Sequence, residues 1–196
     1  MYADLKILRK SLRQQRRRIS SFEQKQSEHS VLARLLISPQ FRHSRKIGLY
    51  LHAFGEIHTN LIIKTCFKLG KSVYLPMIRN MNQKLVWVHI HKEQYRAKRF
   101  NAHKLGMKEP MQSRGLNAMH LDLLLMPLLA CDPSGTRMGM GGGFYDRTLA
   151  QTKNTPIRMG LAHDFQYVER TLERQKWDQP LDWLITPTKT HRFKRN

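Results

Sequence analysis

The sequence predicts an α/β fold: a three-layer sandwich with a mainly parallel, Rossmann-like central sheet. Short apolar segments alternate along the chain with segments of helical periodicity, as they do where parallel strands are joined by helices. The apolar run at 121–129 is followed by a glycine-rich segment and then by a helical pattern. We find neither an internal repeat nor a Pro- or Ser-rich linker in the 196 residues, so we expect a single domain, 1–196.

Two helices are predicted at the start of the chain. Apolar residues recur there at spacings of three, four and seven, which puts them on one face of a helix over 4–19. They are Leu5, Leu8, Leu12 and Ile19. Ser20 and Ser21 precede a second helix of similar periodicity, which Pro39 helps to end.

Further along the chain, apolar segments predict strands. They cover 47–51, 73–75, 85–90, 121–129, 157–162 and 183–186. We expect a helix from Thr59, as its cap, through Leu69 to a stop at Gly70, and another helix over 145–152. We also expect Pro76 to stop the second strand, residues 91–120 to be mostly loop with room for short helices, and the basic tail 189–196 to be loose.

The charge balance narrows the range of partners. Lys and Arg number 35 against 14 Asp and Glu, and the net charge of +21 attracts phosphates, polyglutamates, nucleic acid or acidic lipid. No apolar run reaches the roughly 18 residues of a membrane span, and charges fill the N-terminus where a signal peptide needs an apolar core. Two cysteines without a C-x-x-C pattern argue against a disulfide framework or structural zinc, so we expect a cytoplasmic protein.

The residues that indicate chemistry are concentrated in the segment 126–149. Five of the chain's eleven glycines lie within 135–143, together with Arg137 and just before Asp146. Glycines let backbone N–H groups approach a ligand, and such amides in front of a helix hold phosphate. A Walker loop does not fit because no Lys follows the glycines, and a dinucleotide fingerprint does not fit because Phe144 occupies its last glycine position. The segment predicts a phosphate loop of another design, with a sterically required tight turn as the alternative.

The stretch from Arg137 to Asp146, R-M-G-M-G-G-G-F-Y-D, strongly resembles the hallmark of the 5-formyltetrahydrofolate cyclo-ligases, also called methenyltetrahydrofolate synthetases. Weaker matches to that family keep the right order along the whole chain. They are Leu8, Arg9, Arg16 and Ser20; Tyr50, Glu56, Ile57 and Thr59; Asn101, Gly106, Glu109 and Pro110; Gly160 to Gln166; and Trp177 to Asp182 with Ile185 and Thr186. Cys131 and Met138 replace the usual Phe and Leu, and both changes stay apolar.

The resemblance implies an enzyme that uses ATP and Mg²⁺ to convert 5-formyltetrahydrofolate into 5,10-methenyltetrahydrofolate, with release of ADP and phosphate. In the reaction that it implies, the formyl oxygen attacks the γ-phosphate, and N10 of the folate then closes the ring. Such chemistry requires positioning and charge neutralisation more than a side-chain nucleophile. The implied partner is the folate alone, with or without a polyglutamate tail, and we expect a monomer.

The resemblance also assigns residues to roles. Arg137 and Tyr145 are the expected catalytic residues. Those expected to bind ATP are Lys6, Arg9, Arg137, Met138, Gly139, Met140, Gly141, Gly142, Gly143, Phe144 and Tyr145. Those expected to bind the folate are Leu51, Glu56, Met140, Gly141, Gly142, Gly143 and Phe144. Asp146 and Asp178 are the expected ligands of Mg²⁺, which takes carboxylate and phosphate oxygens.

Several of these residues have simpler interpretations. Glu56 and Asp146 are also candidates for helix caps, and Asp182 is an alternative to Asp178 as a metal ligand. Leu51 and Tyr145 are candidates for core positions. The basic stripe of the first helix is also typical of a solvated face, and Arg16, Arg17 and Arg18 are expected to be solvated. For His89 and His91 we favour surface positions over a metal site.

At the level of the whole protein, the alternative is a basic module that binds nucleic acid. The positive residues of the first helix and the tail support it. The spread of positive charge along the chain, and the lack of a recognised RNA- or DNA-binding motif, argue against it.

Overall fold

The computed structural model describes residues 2–79, 83–103, 106–111, 114–152 and 154–194. Its helices are α1 (Tyr2–Arg18), α2 (Ser21–Ile37), α3 (Pro39–His43), α4 (Asn60–Lys68), α5 (Lys92–Arg96) and α6 (Phe144–Leu149). Its strands are β1 (Lys46–Gly48), β2 (Ser72–Arg79), β3 (Lys84–Ile90), β4 (Phe100–Ala102), β5 (Lys108–Pro110), β6 (Leu123–Pro127), β7 (Ala130–Cys131), β8 (Arg137–Met138), β9 (Ile157–Leu161), β10 (Trp183–Ile185) and β11 (Thr190–Arg192).

The central sheet has seven strands in the order β11-β10-β9-β6-β1-β2-β3. Its five inner strands, from β10 to β2, run parallel to one another. The two edge strands, β3 and β11, run antiparallel to the strands beside them. This topology confirms the predicted α/β class and the mainly parallel, Rossmann-like sheet.

Both faces of the sheet are covered, which confirms the three layers. In the central strand β6, Leu123 and Leu125 face one hydrophobic cluster, while Leu124 and Met126 face another. The first cluster includes buried residues of α2, α3 and α4, and the second includes Leu149 of α6. Since successive side chains of a strand point to opposite faces, a strand buried on both sides must be apolar throughout. This requirement explains the continuous apolar run that identified β6 in the sequence.

Helix α1 packs beside the glycine-rich segment rather than over the middle of the sheet. Leu12 is buried in a third cluster with Leu129, Met138 and Leu172, and Leu5 and Leu8 pack against that cluster. The apolar face of α1 that the sequence predicts thus packs against the strands β7 and β8. The glycine-rich segment of the candidate site follows directly after β8.

Helix α2 begins with the expected type of cap, whereas α4 does not. The Ser20 hydroxyl accepts a hydrogen bond from the Glu23 N–H, and the Glu23 carboxylate accepts one from the Ser20 N–H. Thr59 occupies the N-cap position of α4, but its hydroxyl donates to the carbonyl of Tyr50 instead. The carboxylate of Glu28, in α2, accepts the Leu61 N–H, so the side-chain cap of α4 comes from another helix.

Pro76 does not stop its strand, and this expectation was wrong. Pro76 pairs with Trp87 of β3, yet both backbone polar groups of Trp87 bond to Leu116 instead. The Pro76–Trp87 pair therefore makes no hydrogen bond between the two strands. Because none is made at this pair, the lack of an N–H in proline removes no hydrogen bond from the sheet. Strand β1 ends at Gly48 and is therefore shorter than the strand expected over 47–51.

The segment expected to be mostly loop with short helices contains such a helix and also a pair of strands, and the tail expected to be loose contains a strand. The stretch 91–120 includes α5 and the antiparallel pair β4–β5, and β11 places part of the tail against β10. The remaining parts of these expectations, at 104–105, 112–113 and 195–196, lie outside the described residues. Within the described ranges, no helix combines the length and the apolar character needed to cross a bilayer.

Candidate active site

A cavity of about 730 Å³ opens at the carboxyl ends of the parallel strands. Tyr50 and Leu51, which follow β1, line it, and so do Pro127 and Leu128 at the end of β6. Ligands of open α/β sheets bind at this edge, because the loops that leave the strands there are free to vary. The cavity is large enough for small molecules of the size of nucleotides and vitamins.

The glycine loop, Gly139–Gly143, forms one wall of this cavity with its backbone. Gly141 and Gly143 have φ angles of +100° and +63°, which residues with side chains rarely adopt. Gly139 has no such angle, and a Cβ built on it would meet nothing closer than Arg137 Nη1 at 3.9 Å. The backbone at Gly139 therefore does not require glycine, and the absence of a side chain there leaves the cavity open. A tight turn that needs glycine for steric reasons does not explain this position.

The buried carboxylate of Asp132 anchors the segment that leads into the glycine loop. Its Oδ1 accepts hydrogen bonds from the Ser134 N–H at 2.9 Å, the Ser134 hydroxyl at 2.7 Å and the Thr136 N–H at 2.8 Å. Its Oδ2 accepts the Leu172 N–H at 2.9 Å. One side chain thus joins the loop to a distant part of the chain, the rim segment 172–179.

The rim segment is tied to the site at two further points. Arg174 donates to the Thr136 hydroxyl at 2.9 Å, and the Gln179 N–H donates to Asp146 Oδ1 at 3.1 Å. Trp177 and Asp178 of this segment line the cavity. The Asp178 carboxylate accepts the Gln175 N–H at 2.8 Å, which closes a local turn.

Arg16 lies at the floor of the cavity, so the expectation that it is solvated was wrong. It is only 2% exposed, and its guanidinium donates to the Leu128 carbonyl at 3.3 Å and lies 3.9 Å from the sulfur of Met140. Its Nη1 is also 3.9 Å from Glu56 Oε1. The available signal was its spacing of seven from Arg9, which places both arginines on the face of α1 that carries Leu12.

Arg9, Arg16 and Arg137 give the cavity a positive wall. The Nε atom of each is buried and has no hydrogen-bond partner among the described residues. Buried donors without acceptors are costly in a folded protein. A bound anion would lower that cost by neutralising the cavity and by drawing the guanidinium groups onto its oxygens.

Glu56 closes a turn after β1 and does not cap α4. Its Oε2 accepts the Ala53 N–H at 3.0 Å, and burial raises the pKa of its carboxyl to about 7. The Arg16 charge acts in the opposite direction and lowers this pKa. Glu56 therefore changes its charge near neutral pH, beside the guanidinium of Arg16.

Two tyrosines complete the cavity on the side of Glu56. Burial, together with the charge of Glu56, raises the pKa of both Tyr50 and Tyr145, so both hydroxyls stay protonated. The Tyr50 hydroxyl donates to the Ile57 carbonyl at 3.1 Å. The Arg137 guanidinium lies 5.5 Å from the centre of the Tyr145 ring. Tyr145 thus combines a packing role with a protonated hydroxyl that can donate a hydrogen bond.

Asp146 does not cap α6, because Gly143 occupies the N-cap position. The Asp146 carboxylate accepts a short hydrogen bond, 2.5 Å, from Arg137 Nη2. Asp182 does not line the cavity, and its carboxylate accepts the Arg158 N–H at 2.8 Å, next to the sheet. Of the two alternatives for the second carboxylate, the structure therefore brings Asp178 to the cavity and leaves Asp182 away from it.

All but one of the residues to which the sequence assigned a role line this cavity. They are Arg9, Leu51, Glu56, Arg137, Met138, Gly139, Met140, Gly141, Gly142, Gly143, Phe144, Tyr145, Asp146 and Asp178. Lys6 is exposed on α1 and is not part of the cavity wall. Leu51 also packs against the core, so it has both of the expected environments. The rings of His89 and His91 lie 4.5 Å apart, and neither residue lines the cavity.

The fold and the cavity define an α/β enzyme whose site lies at the carboxyl edge of a parallel sheet. The model of the 5-formyltetrahydrofolate cyclo-ligase family matches residues 2–187. The 5-formyltetrahydrofolate cyclo-ligase of Escherichia coli (strain K12) is 33% identical over 91% of this chain and 97% of its own length. The protein of that name from Haemophilus influenzae is 34% identical over 89% of this chain and 92% of its own length. The chain therefore belongs to the 5-formyltetrahydrofolate cyclo-ligase family.

Solved structures agree with this assignment. The NMR structure of Aquifex aeolicus 5,10-methenyltetrahydrofolate synthetase matches with a TM-score of 0.82 at 28% identity, over 97% of this chain and 93% of that one. The 5,10-methenyltetrahydrofolate synthetase of Mycoplasma pneumoniae matches with a TM-score of 0.73 at 18% identity, over 93% of this chain and 98% of that one. At 18% identity, the second match shows a shared fold only.

The contact between Arg16 and Glu56 yields a testable prediction. Replacing Arg16 by Met removes the charge that lowers the pKa of Glu56, so this pKa should rise further above about 7. NMR titration of the labelled Glu56 carboxyl carbon measures it directly. Arg17→Met, on the exposed side of α1, is the matched control and should leave the titration unchanged. An Arg16→Met protein whose Glu56 titrates as in the original chain would show that the two groups are not coupled.

Proposed function

We propose that this enzyme converts 5-formyltetrahydrofolate into 5,10-methenyltetrahydrofolate in a reaction that consumes ATP, requires Mg²⁺ and releases ADP and phosphate. The observation that carries the proposal is the open glycine backbone, which lines the same cavity as Arg9, Arg16 and Arg137, in a chain of the cyclo-ligase family. ATP supplies the phosphoryl group that activates the formyl oxygen, and Mg²⁺ offsets the negative charge of the phosphates. The remaining task of the protein is to position the reactants and to stabilise charge.

The phosphates of ATP fit the glycine loop. Its backbone faces open space at Gly139 and Gly141, where a nucleotide can approach closer than any side chain would allow. Arg9 and Arg137 extend into the same cavity with buried donors that lack acceptors among the described residues. Guanidinium groups suit phosphate because they present several donors in a fixed plane. Lys6 stays a sequence-based prediction, since it lies outside the cavity wall.

Asp146 and Asp178 are the residues that would hold Mg²⁺. No group of three or more His, Cys, Asp or Glu in the described part of the chain is arranged to bind a metal. Mg²⁺ typically takes only one or two protein carboxylates, with phosphates and waters as its other ligands, so two cavity carboxylates fit this donor set. Arg137 and the Gln179 N–H both donate to Asp146 Oδ1, so Oδ2 is the oxygen with which Asp146 would hold the metal.

The folate fits the end of the cavity near Glu56. A carboxylate there accepts hydrogen bonds from the N–H groups of a pterin edge, and Leu51 offers apolar contact beside it. Tyr145 carries a protonated hydroxyl between Glu56 and Arg137, in range of both charges. We infer that Tyr145 donates a hydrogen bond to the reacting group while Arg137 stabilises the negative charge that develops on the transferred phosphoryl group.

The proposed activity is tested by following the absorbance of the methenyl product. We expect product from 5-formyltetrahydrofolate only when ATP and Mg²⁺ are both present. Omission of either one is the control, and the lack of any product at saturating ATP, Mg²⁺ and folate would contradict the proposal. A folate-independent, salt-sensitive retention on nucleic acid would instead support the alternative of a basic binding module.

A substitution at Gly139 tests the phosphate cradle without disturbing the fold. Valine is compatible with the backbone there, and its side chain would enter open space that we assign to the phosphates. The affinity for ATP, measured by calorimetry, should fall at least about tenfold while the melting temperature stays the same. Gly139→Ala should have a smaller effect of the same sign. Unchanged ATP affinity in a folded Gly139→Val protein would mean that the phosphates bind elsewhere.

The metal assignment is tested at Asp146. Asp146→Asn preserves an oxygen that accepts the Gln179 N–H, so the local structure should be retained. Because the substitution removes the negative charge that would hold the metal, turnover should fall at least about tenfold and half-maximal activity should need more Mg²⁺. Asp178→Asn should act in the same direction but more mildly. Asp164→Asn, which changes a carboxylate that bonds Thr188 outside the cavity, is the control. If Asp146→Asn lowers only the melting temperature and leaves the Mg²⁺ dependence intact, Asp146 does not bind the metal.

Glu56 predicts a pH dependence of folate binding. Because the pKa of Glu56 is raised to about 7, its carboxyl gains a proton as the pH falls through this value and loses an acceptor for the pterin N–H groups. The KM for folate should therefore rise as the pH falls below about 7. In Glu56→Gln, the KM should be raised at all pH values and lack this dependence, whereas the KM for ATP should not change. Equal effects on both substrates would instead indicate a structural role.

A further inference from the structure

Trp177 is exposed at the cavity although nothing in the packing accounts for it. It exposes 65% of its surface and lines the cavity wall. Tryptophan is on average one of the most buried residues, because its large apolar surface is costly to hydrate. Within the described part of the chain, the other two tryptophans have ring or cation partners, namely Tyr145 for Trp87 and Arg192 for Trp183. The indole of Trp177 makes no such contact there.

The backbone that carries Trp177 is held in a defined turn. The Asp178 N–H donates to the Gln175 carbonyl at 3.0 Å, and the Gln175 N–H donates back to the Asp178 carboxylate at 2.8 Å. The Gln179 side chain donates to the Trp177 carbonyl at 3.2 Å. An exposed ring on such a turn is presented to the cavity without a large loss of entropy when a ligand binds.

Neighbouring residues place Trp177 at the nucleotide end of the cavity. It directly precedes Asp178, one of the two carboxylates near which the phosphates are expected. Leu172, from the same rim segment, belongs to the hydrophobic cluster against which Leu5 of α1 packs, and both leucines line the cavity together with Arg9. Glu56, the folate residue, belongs instead to the loop after β1. The unpartnered indole therefore lines the part of the cavity in which we expect the nucleotide.

We propose that Trp177 binds the nucleotide by stacking its indole on the purine base of ATP. This inference rests on the proposed function, because it assigns one part of the same site. Aromatic side chains stack on nucleobases through their π-faces, and the larger purine ring system offers more overlap than a pyrimidine. Arg9, Arg137 and the glycine loop recognise the phosphates, so Trp177 is the specificity-determining residue for the base.

The test compares ATP with a ligand that has phosphates but no base. Calorimetry measures the affinity of the full-length protein for Mg²⁺–ATP and for Mg²⁺–tripolyphosphate. We expect Trp177→Ala to weaken ATP binding at least about fivefold and to leave tripolyphosphate binding unchanged. Trp177→Phe retains an aromatic face and should bind ATP within about twofold of the original chain. Because the indole is mostly exposed, both variants should keep the original melting temperature.

Each other outcome contradicts a distinct claim. If the original protein binds ATP and Trp177→Ala binds it equally well, the stacking inference is wrong and the proposed function stands. Equal weakening of ATP and tripolyphosphate would show that the substitution disturbs the turn and Asp178 instead of a base contact. Weaker folate binding with unchanged ATP binding would move Trp177 to the folate. An original protein that binds no ATP at all would overturn the proposed function, and the inference with it.

Fluorescence provides an independent measurement, because the chain has only three tryptophans. Trp183, in β10, does not line the cavity, so Trp183→Phe should retain any change of emission that ATP causes. Trp177→Phe should lose most of that change while it still binds ATP. Loss of the signal in Trp183→Phe, but not in Trp177→Phe, would contradict the assignment.

Discussion

The cavity depends on one buried carboxylate. Asp132 is fully buried, and it is held there because four donors compensate for the loss of water. Three of these donors belong to the approach to the glycine loop, and the fourth is the N–H of Leu172 in the rim segment. Since Arg174 adds bonds from the rim segment to the same approach, two parts of the chain that are distant in sequence form one wall. The turn that carries Trp177 and Asp178 is positioned by this connection.

A second constraint is electrostatic. The cavity wall includes three arginines, Arg9, Arg16 and Arg137, whose buried Nε donors lack partners among the described residues. Burial lowers the pKa of Arg16 and raises that of Glu56, so both charges are costly there, and the 3.9 Å between them compensates only in part. An anionic ligand supplies acceptors for these buried donors. The proposed substrates, a polyphosphate and a folate, match this need in a way that a neutral metabolite would not.

The glycine loop and its neighbours were predictable because their chemistry is local. Residue types in a fixed order, such as Arg137 before the glycines and Asp146 after them, indicate a phosphate site without knowledge of the fold. The apolar run of β6 was predictable for a similar reason, since burial on both faces leaves no position for a polar residue.

Features that depend on distant partners were not predictable from the sequence. The spacing of Arg16 from Arg9 places it on the apolar face of α1, but its partners, Leu128 and Glu56, come from distant parts of the chain. The cap of α4 comes from Glu28, thirty-three residues before the Leu61 N–H that it accepts. The exposure of Trp177 became evident only with the rim segment in place. The single-domain organisation, the monomeric state and the cytoplasmic location stay predictions.

The central claim is that this cavity couples the cleavage of ATP to the closure of a folate ring. The most direct measurement is the ratio of ADP to methenyl product in a single turnover, with the enzyme in excess over 5-formyltetrahydrofolate. The account predicts one ADP for each ring closed, and neither product when the other substrate is left out. Methenyl product formed without ADP, or ADP released without ring closure at a comparable rate, would contradict it.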